Sequence, residues 1–337
     1  MTELAPHYKL MGIDVSPYTM KVLSYLKYKG VSWEWFPRNL RNEKIFRQHA
    51  QVQLIPMLFL SDGSTMQDST PIIEYLEAEH PDPSIYPDDP ALRFLAALLE
   101  EFGDEWCNKL MFFQRWFAKA DQIATGERIA GAMLEGQWFR PVAKPIMARF
   151  IVRRMIPRLS FAGANETNIP HLQRSFESVV AKLDTHLATR PYLLGGCPSF
   201  GDFGIWGNIY QAWTDPTAGS YMNKNARHLV AWIERMLAPD DEGPFETLDV
   251  LAPTLRPLLK TDIADRFLRW SVANDKAWKA EKKQTSLEMD GAPFEQKTFK
   301  YHSFSLGELR KKYETAANNT ELNTLLEETG CLQYLDA

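Results

Sequence analysis

The sequence predicts an α/β domain followed by an all-helical domain, and three observations carry that expectation. In a first stretch of about eighty residues, runs of β-like alternation and runs of helical period follow one another in the order β-α-β-α-β-β-α. A segment dense in proline and aspartate, HPDPSIYPDDP at 80–90, then interrupts the chain. Beyond it, apolar residues recur at helical spacing over long stretches. With 337 residues the chain is long enough for two domains. The expected division is a first domain at 1–82, a linker at 83–90, a helical domain at 91–240, and an extension at 241–337 packed on the helical domain.

HYKLMGIDV at 7–15 alternates between turn residues and reads as a strand. From Pro17 to Lys29 the apolar residues Met20, Val22, Leu23 and Leu26 recur with helical spacing. Ser16 is a suitable N-cap for that helix, and Pro17 suits its first position, where a missing N–H costs nothing. Gly30 suits the left-handed residue that ends it. VSWEWF reads as a second strand and NEKIFRQHA as a short polar helix. PMLFL, the turn SDGS and TMQ form a strand, turn and strand, a plausible hairpin. DSTPIIEYLEAEH opens another helix, with Asp68 or Ser69 as cap and Pro71 near its start. Crossover helices imply a parallel pair of strands, and the hairpin adds an antiparallel edge. This is the thioredoxin-like arrangement. Pro56 cannot donate to a strand ladder, and a cis X–Pro turn is one explanation for its place.

Composition excludes several classes. There are 38 Lys and Arg against 43 Asp and Glu, so nothing global points to nucleic-acid binding. Cys107, Cys197 and Cys331 are scattered, without CxxC or metal-ligand spacing, and an odd count argues against a closed disulfide framework. No metal site is expected, and a reducing, cytoplasmic setting is the simplest reading. The N-terminus lacks a basic start followed by an apolar core, so no signal peptide is expected. No uncharged apolar run approaches the roughly 18 residues of a membrane span, so no transmembrane segment is expected.

Three pieces of the first domain, in order, carry a resemblance: SPYTMKV, QLIPML and QDSTPIIEYL. Together they resemble the N-terminal domain of the cytosolic glutathione transferase superfamily. The first is similar to its catalytic-serine motif, the second to the stretch holding its cis-proline, and the third to the acidic-Ser pair that binds the γ-glutamyl group of glutathione. The resemblance implies a fold with a thioredoxin-like first domain and an all-helical second one. It implies glutathione as co-substrate, with Ser16 as the catalytic residue that hydrogen-bonds the thiolate; spacing alone implies only a cap. Tyr18 and Thr19 are the neighbouring alternatives. It further implies that Ile55 beside Pro56 offers its backbone to the cysteinyl unit, while Asp68 and Ser69 take the amino and carboxylate ends of the γ-glutamyl unit. Asp68 is shorter than the family's usual Glu. Gln53, Arg38 and Arg41 are candidates for the glycine carboxylate, without ranking. A thiol–disulfide exchanger would need a cysteine where Ser16 stands, so conjugation, isomerisation or glutathione binding is favoured over exchange.

The second half continues the resemblance, which covers about residues 8 to 238. HLQRSFESVVAKLDTHLATRPYLLGG reads as an amphipathic helix ending near Pro191 and Gly195. PSFGDFGIWGNIYQAW resembles the superfamily's capped core helix, with Ser199 and Asp202 as a structural capping box. Between Glu135 and Glu166 there is no acidic residue, and Arg140, Lys144, Arg149, Arg153, Arg154 and Arg158 stand among aromatic and Met residues. Pro145 and Pro157 are expected to limit helix there. This stretch reads as a lid, as a surface for anionic substrates or lipid headgroups, or as a solvated basic face packing on acidic neighbours such as LEEFGDEW. Trp106, Phe112, Phe113, Trp116 and Trp138 are candidates for an apolar acceptor pocket or for core. From about residue 240 the resemblance fades. A turn, an alternating run and a basic helical run are expected around DGAPFEQKTFKYHSFSLGELRKKY, and a last short helix before Gly330. The expected protein is a glutathione transferase acting on a small apolar electrophile. A homodimer is implied by the resemblance only. The alternative is a non-catalytic binding or scaffold protein on the same fold.

Overall fold

The computed structural model describes residues 8–336; the predicted start of the first strand at His7 lies outside them. The first domain runs β1 (Tyr8–Gly12), α1 (Pro17–Lys29), β2 (Trp33–Pro37), α2 (Glu43–His49), β3 (Met57–Phe59), β4 (Thr65–Gln67) and α3 (Ser69–Glu79). The sheet order is β2-β1-β3-β4, parallel between β1 and β2 and antiparallel elsewhere. The fold is therefore thioredoxin-like, as the alternation of elements predicts. β1 stops three residues before the predicted end at Val15. A Cβ at Gly12 would lie 2.1 Å from the Thr19 methyl, so α1 folds back directly against the strand end. Ile13–Val15 instead form a turn closed by the Ser16 N–H on the Ile13 carbonyl at 3.0 Å.

The helical part runs α4 (Pro90–Phe102), a π-turn (Gly103–Cys107), α5 (Asn108–Phe117), α6 (Lys119–Met133), α7 (Arg140–Met155), a 3-10 segment (Ile156–Ser160), α8 (Ile169–His186), α9 (Phe200–Trp213), α10 (Pro216–Asn225) and α11 (Arg227–Arg235). Contrary to expectation, α7 continues through Pro145. Pro141 and Pro145 are both exposed, so the carbonyl that loses its helical donor faces water. α8 ends at His186, short of Pro191, and the buried His186 Nε2 meets the Leu193 carbonyl at 2.8 Å, anchoring the loop that follows.

The core is centred on α9, which is buried along most of its length. It approaches α4 and the π-turn backbone to backbone. A Cβ at Gly204 would lie 2.6 Å from the Glu100 Cα, and one at Gly103 would lie 2.4 Å from the Gly204 carbonyl carbon. A capping box between Ser199 and Asp202 starts α9. The Asp202 carboxylate accepts from the Ser199 N–H and hydroxyl on one oxygen, and from the Leu193 N–H and the Trp232 indole on the other.

After α11 come α12 (Leu248–Leu258), a π-helical segment (Leu259–Leu268), α13 (Arg269–Lys279), β5 (Gln284–Met289), β6 (Ala292–Lys297), α14 (Lys300–Glu314), α15 (Thr320–Glu328) and α16 (Leu332–Leu335). The alternating run predicted after the turn is β6. Its antiparallel partner β5 escaped the sequence reading. Asp290 and Gly291 both have positive φ, 50° and 74°, which suits a two-residue hairpin turn. These elements contribute Leu255, Phe267, Trp270 and Cys331 to the same apolar core as α4 and α9. Lys312 on α14 reaches Glu74 on α3 at 3.0 Å.

Candidate functional site

The sheet register gathers the sequence-predicted positions. Met11 pairs with Met57, and Met57 with Gln67, so three chain ends leave the sheet at one edge. After β1 the chain reaches Ser16, before β3 it passes Ile55–Pro56, and after β4 it reaches Asp68 and Ser69. The Ile55–Pro56 peptide is cis.

Ser16 is half-buried at the N-cap of α1, with Pro17 as first helical residue. Its Oγ accepts the Thr19 N–H at 3.3 Å, and among the described residues nothing takes its hydroxyl proton. A hydroxyl so placed caps the helix and still has a donor to offer an anion, in the positive field of unpaired N–H groups. Of the two alternatives, Tyr18 is committed elsewhere and Thr19 is shut away from solvent. Tyr18 donates to the Asp104 backbone carbonyl at 3.1 Å, and burial together with Asp104 and Glu105 holds its phenol well above the ordinary range. Thr19 is fully buried with its methyl against Gly12, and its Oγ1 has no hydrogen-bond partner among the described residues.

Asp68 is not the side-chain cap that one sequence reading allows. It makes no capping hydrogen bond and has φ 78° and ψ 132°, a conformation that costs a non-glycine residue about 1–3 kcal/mol. Ser69 follows it, fully buried, with a hydroxyl that none of the described residues satisfies. Gln53 is exposed. Arg38 stacks 3.5 Å over the Phe46 ring and pairs with Glu43, while Arg41 donates to the Gly136 carbonyl.

Three supporting groups were missed by the sequence reading. The Gln67 amide accepts from the N–H groups of Gln51 and Val52 and donates to the carbonyls of Val52 and Leu54, bracing the loop before Pro56. Buried Arg115 on α5 donates to the Val15 carbonyl at 2.9 Å and pairs with Asp215 at 2.7 Å, while Gln211 on α9 donates to the Asp14 carbonyl at 2.7 Å. Lys21, on the buried side of α1, meets Glu100 at 2.5 Å and Asp104 at 2.7 Å and donates to Thr70 at 3.1 Å. One lysine between two buried carboxylates leaves one negative charge uncompensated. Burial and Glu100 push the Asp104 carboxyl up to about 8 despite Lys21. The only sequence signal for Lys21 and Arg115 was a cation on an otherwise apolar helix face.

A cavity of about 280 Å³ adjoins this network, lined by Tyr18, Glu105, Phe112, Arg158, Tyr301 and His302 among others. Its wall therefore combines α1, α5, the basic stretch and α14. His302 lies against the Glu105 carboxylate, and Ser305 donates to Glu101. Of the aromatic candidates, Trp106, Phe113 and Trp116 are core, Phe112 borders the cavity and Trp138 is on the surface. A larger concavity of about 800 Å³ between Trp33, Trp35 and α6 touches Gly12–Asp14; neither it nor the 280 Å³ cavity is lined by Ser16, Ile55, Asp68 or Ser69, and Tyr18 is the first-domain residue that the smaller one touches. Among the described residues, no group of three or more His, Cys, Asp or Glu is placed to hold a metal ion.

Residues 10–84 match the family model of the glutathione S-transferase N-terminal domain, and residues 165–241 match that of the glutathione S-transferase C-terminal domain. A probable glutathione S-transferase from Solanum tuberosum is 28% identical over 129 residues, 38% of this chain and 58% of that protein. Glutathione S-transferase U7 from Arabidopsis thaliana is 30% identical over 99 residues, 29% of this chain and 43% of that protein. The chain thus spans about half the length of these relatives. Among solved structures, the Tau class glutathione S-transferase MiGSTU from mango, Mangifera indica, is 19% identical, with a TM-score of 0.43, covering 75% of this chain and 98% of that one.

Proposed function

The chain belongs to the glutathione S-transferase superfamily, and on that premise we propose that it is a glutathione transferase whose Ser16 steadies the glutathione thiolate for attack on an apolar electrophile. The observation that carries the proposal is the shared sheet edge, where Ser16, Ile55–Pro56 and Asp68–Ser69 all emerge. The strained backbone at Asp68 and the unsatisfied hydroxyl of Ser69 are what a ligand site at that edge would leave behind in the free protein.

In this reading the γ-glutamyl carboxylate lies on the N-terminus of α3 and the Ser69 hydroxyl, and its ammonium faces Asp68. The cysteinyl backbone pairs with Ile55 beside Pro56, and Gln53 stands toward the glycyl end. A free thiol has a pKa near 8.5, so a neutral solution holds little thiolate. The N-terminus of α1 and the Ser16 hydroxyl favour the anion without acting as a base. Proximity to an electrophile in the 280 Å³ cavity supplies the rest. A homodimer in a cytoplasmic setting belongs to the same proposal.

Calorimetry with glutathione and turnover of an aryl halide test it. Ser69→Ala should weaken glutathione about 10- to 10²-fold, the worth of one hydrogen bond to a charged group. No binding of glutathione at millimolar concentration would overturn the proposal. Binding without turnover of any electrophile tried would favour the non-catalytic alternative.

A further inference from the structure

The basic stretch has no role in the site beyond Met155, Arg158, Phe161 and Ala162 at the cavity wall. Its exposure is unusual. Trp138 is 90% exposed, Val142 73%, Ile146 65% and Phe150 62%. The last three are four residues apart and form one outward stripe on α7, while Ala148 and Ile151 on the opposite side are buried with Trp116 and Ala130. α7 is thus apolar on two faces, and among the described residues only one of them has a partner.

The cations frame the open face. Arg149, Arg153 and Arg154 are exposed beside the stripe, and among the described residues none of them makes an ion pair. Lys144 pairs with Glu127 at 3.8 Å, and among the described residues Arg158 makes no ion pair and donates to the Met155 sulfur at 3.8 Å. The carboxylates of LEEFGDEW are engaged elsewhere: Glu100 and Asp104 by Lys21, Glu101 by Ser305 and Glu105 by His302. Among the described residues, no cation of the basic stretch is paired with a carboxylate of LEEFGDEW, although Arg158 shares a cavity wall with Asp104 and Glu105.

A contiguous exposed apolar patch on a folded protein marks an interaction surface. Its occupant must be anionic. A second copy would set Arg149, Arg153 and Arg154 against the same three cations, and like charges face to face oppose association. The stripe is also one helix wide and convex, which gives a folded partner little to complement, whereas a bilayer interface adapts to such a face. Beside it, a groove of about 530 Å³ between α6 and α7 has Ile123, Pro145 and Val152 among its lining, with Lys119, Arg149 and Arg153, and Glu127 as its acidic member. That polarity fits an amphiphile with an anionic head. We propose that α7, with Trp138 before it and the segment to Phe161 after it, is a docking surface for an anionic lipid bilayer. Aromatic and aliphatic residues flanked by Arg and Lys are the composition of helices that lie in the interface plane. No helix among the described residues is long and apolar enough to cross a membrane, so the attachment is peripheral.

Co-sedimentation of the full chain with sucrose-loaded vesicles tests this without reference to turnover. The protein should sediment with phosphatidylserine–phosphatidylcholine vesicles, stay in solution with pure phosphatidylcholine, and detach as salt rises. Arg149→Gln/Arg153→Gln/Arg154→Gln should weaken partition about 10²-fold, at about fivefold for each charge. Ile146→Ser/Phe150→Ser should weaken it at least about tenfold. All these side chains are exposed, so unchanged thermal melting would show that the variants fold. Absence of sedimentation at low salt, or equal binding to neutral vesicles, would overturn the proposal. Full binding by Ile146→Ser/Phe150→Ser would also overturn it, in favour of a purely electrostatic acidic partner. So would a dimer, seen by light scattering without lipid, that Ile146→Ser dissociates.

Discussion

Ser16→Ala separates the two jobs assigned to one hydroxyl. As a cap, its Oγ accepts a single N–H at a long 3.3 Å, and Pro17 already presets the first helical residue. The stability loss should fall at the low end of the capping range, about 0.5–1 kcal/mol. As a donor to an anion, the hydroxyl should contribute about 1.5–3 kcal/mol, the worth of a hydrogen bond to a charged group. Divided by 1.36 kcal/mol per unit, that is a rise of about 1–2 units in the pKa of the bound thiol. Thiolate absorbance of the glutathione complex, followed against pH for wild type and variant, reads this shift. The acid limb of the activity profile should move to higher pH by the same amount. Turnover near neutral pH should fall by about 10- to 10²-fold, with a much smaller change in glutathione affinity, since Ile55, Asp68 and Ser69 hold the remainder of the peptide. An unchanged titration with the expected small loss of stability would refute the reasoning and leave Ser16 as a cap alone.

Asp104→Asn should flatten the dependence of stability on pH. The folded-state carboxyl at about 8 lies above its unfolded value near 3.9, so its stabilising contribution is complete below about pH 4 and is lost as pH rises through 8. Thermal melting between those limits should fall less steeply in the variant; equal slopes would show that Asp104 is already ionised beside Lys21. Ser199→Ala removes a buried hydroxyl that donates to Asp202 at 2.7 Å and should cost about 1–2 kcal/mol in urea unfolding. Unchanged unfolding with lost turnover would mean a functional residue had been read as structural. Gly204→Ala drives a Cβ to 2.6 Å from the Glu100 Cα, where no side chain can give way, and should cost about 1–3 kcal/mol or more by the same measurement. A melting temperature within error of wild type would show that α4 and α9 can separate.

The local signals in the first domain were legible because each acts over a few residues. Ser16, Pro17 and Gly30 bound α1, with Gly30 at φ 62°, and the SDGS turn joins β3 to β4. The end of β1 was not legible, because it is set by Thr19 packing on Gly12, a contact between elements. Pro145 misled because proline disfavours helix in general, yet here the freed carbonyl is on a solvent face. β5 was missed because QTSLEM is polar on one face and short, and only its pairing with β6 makes it a strand. In the candidate site, the motif positions were readable but their supports were not. Gln67 looked like one more strand residue, although its side chain rather than its backbone braces the loop before Pro56. Arg38 and Arg41 looked available and are occupied. Tyr301 and His302 come from a region with no motif at all, and sequence distance hid that they wall the same cavity as Tyr18.

The hold that Arg115 and Gln211 keep on the Val15 and Asp14 carbonyls has a consequence for how function is inherited along the chain. Two residues of the helical part hold the peptide groups immediately before Ser16, so the first domain does not set the orientation of its own serine alone. A mutational scan ranked by turnover would place Arg115 and Gln211 beside Ser16, although neither lines the cavity between the domains. Recombining the first domain with a helical half from another sequence would succeed only where an equivalent guanidinium and amide came with it. Because the acceptors are backbone carbonyls, which any residue supplies, the constraint falls on the donors in α5 and α9 rather than on the side chains at 14 and 15.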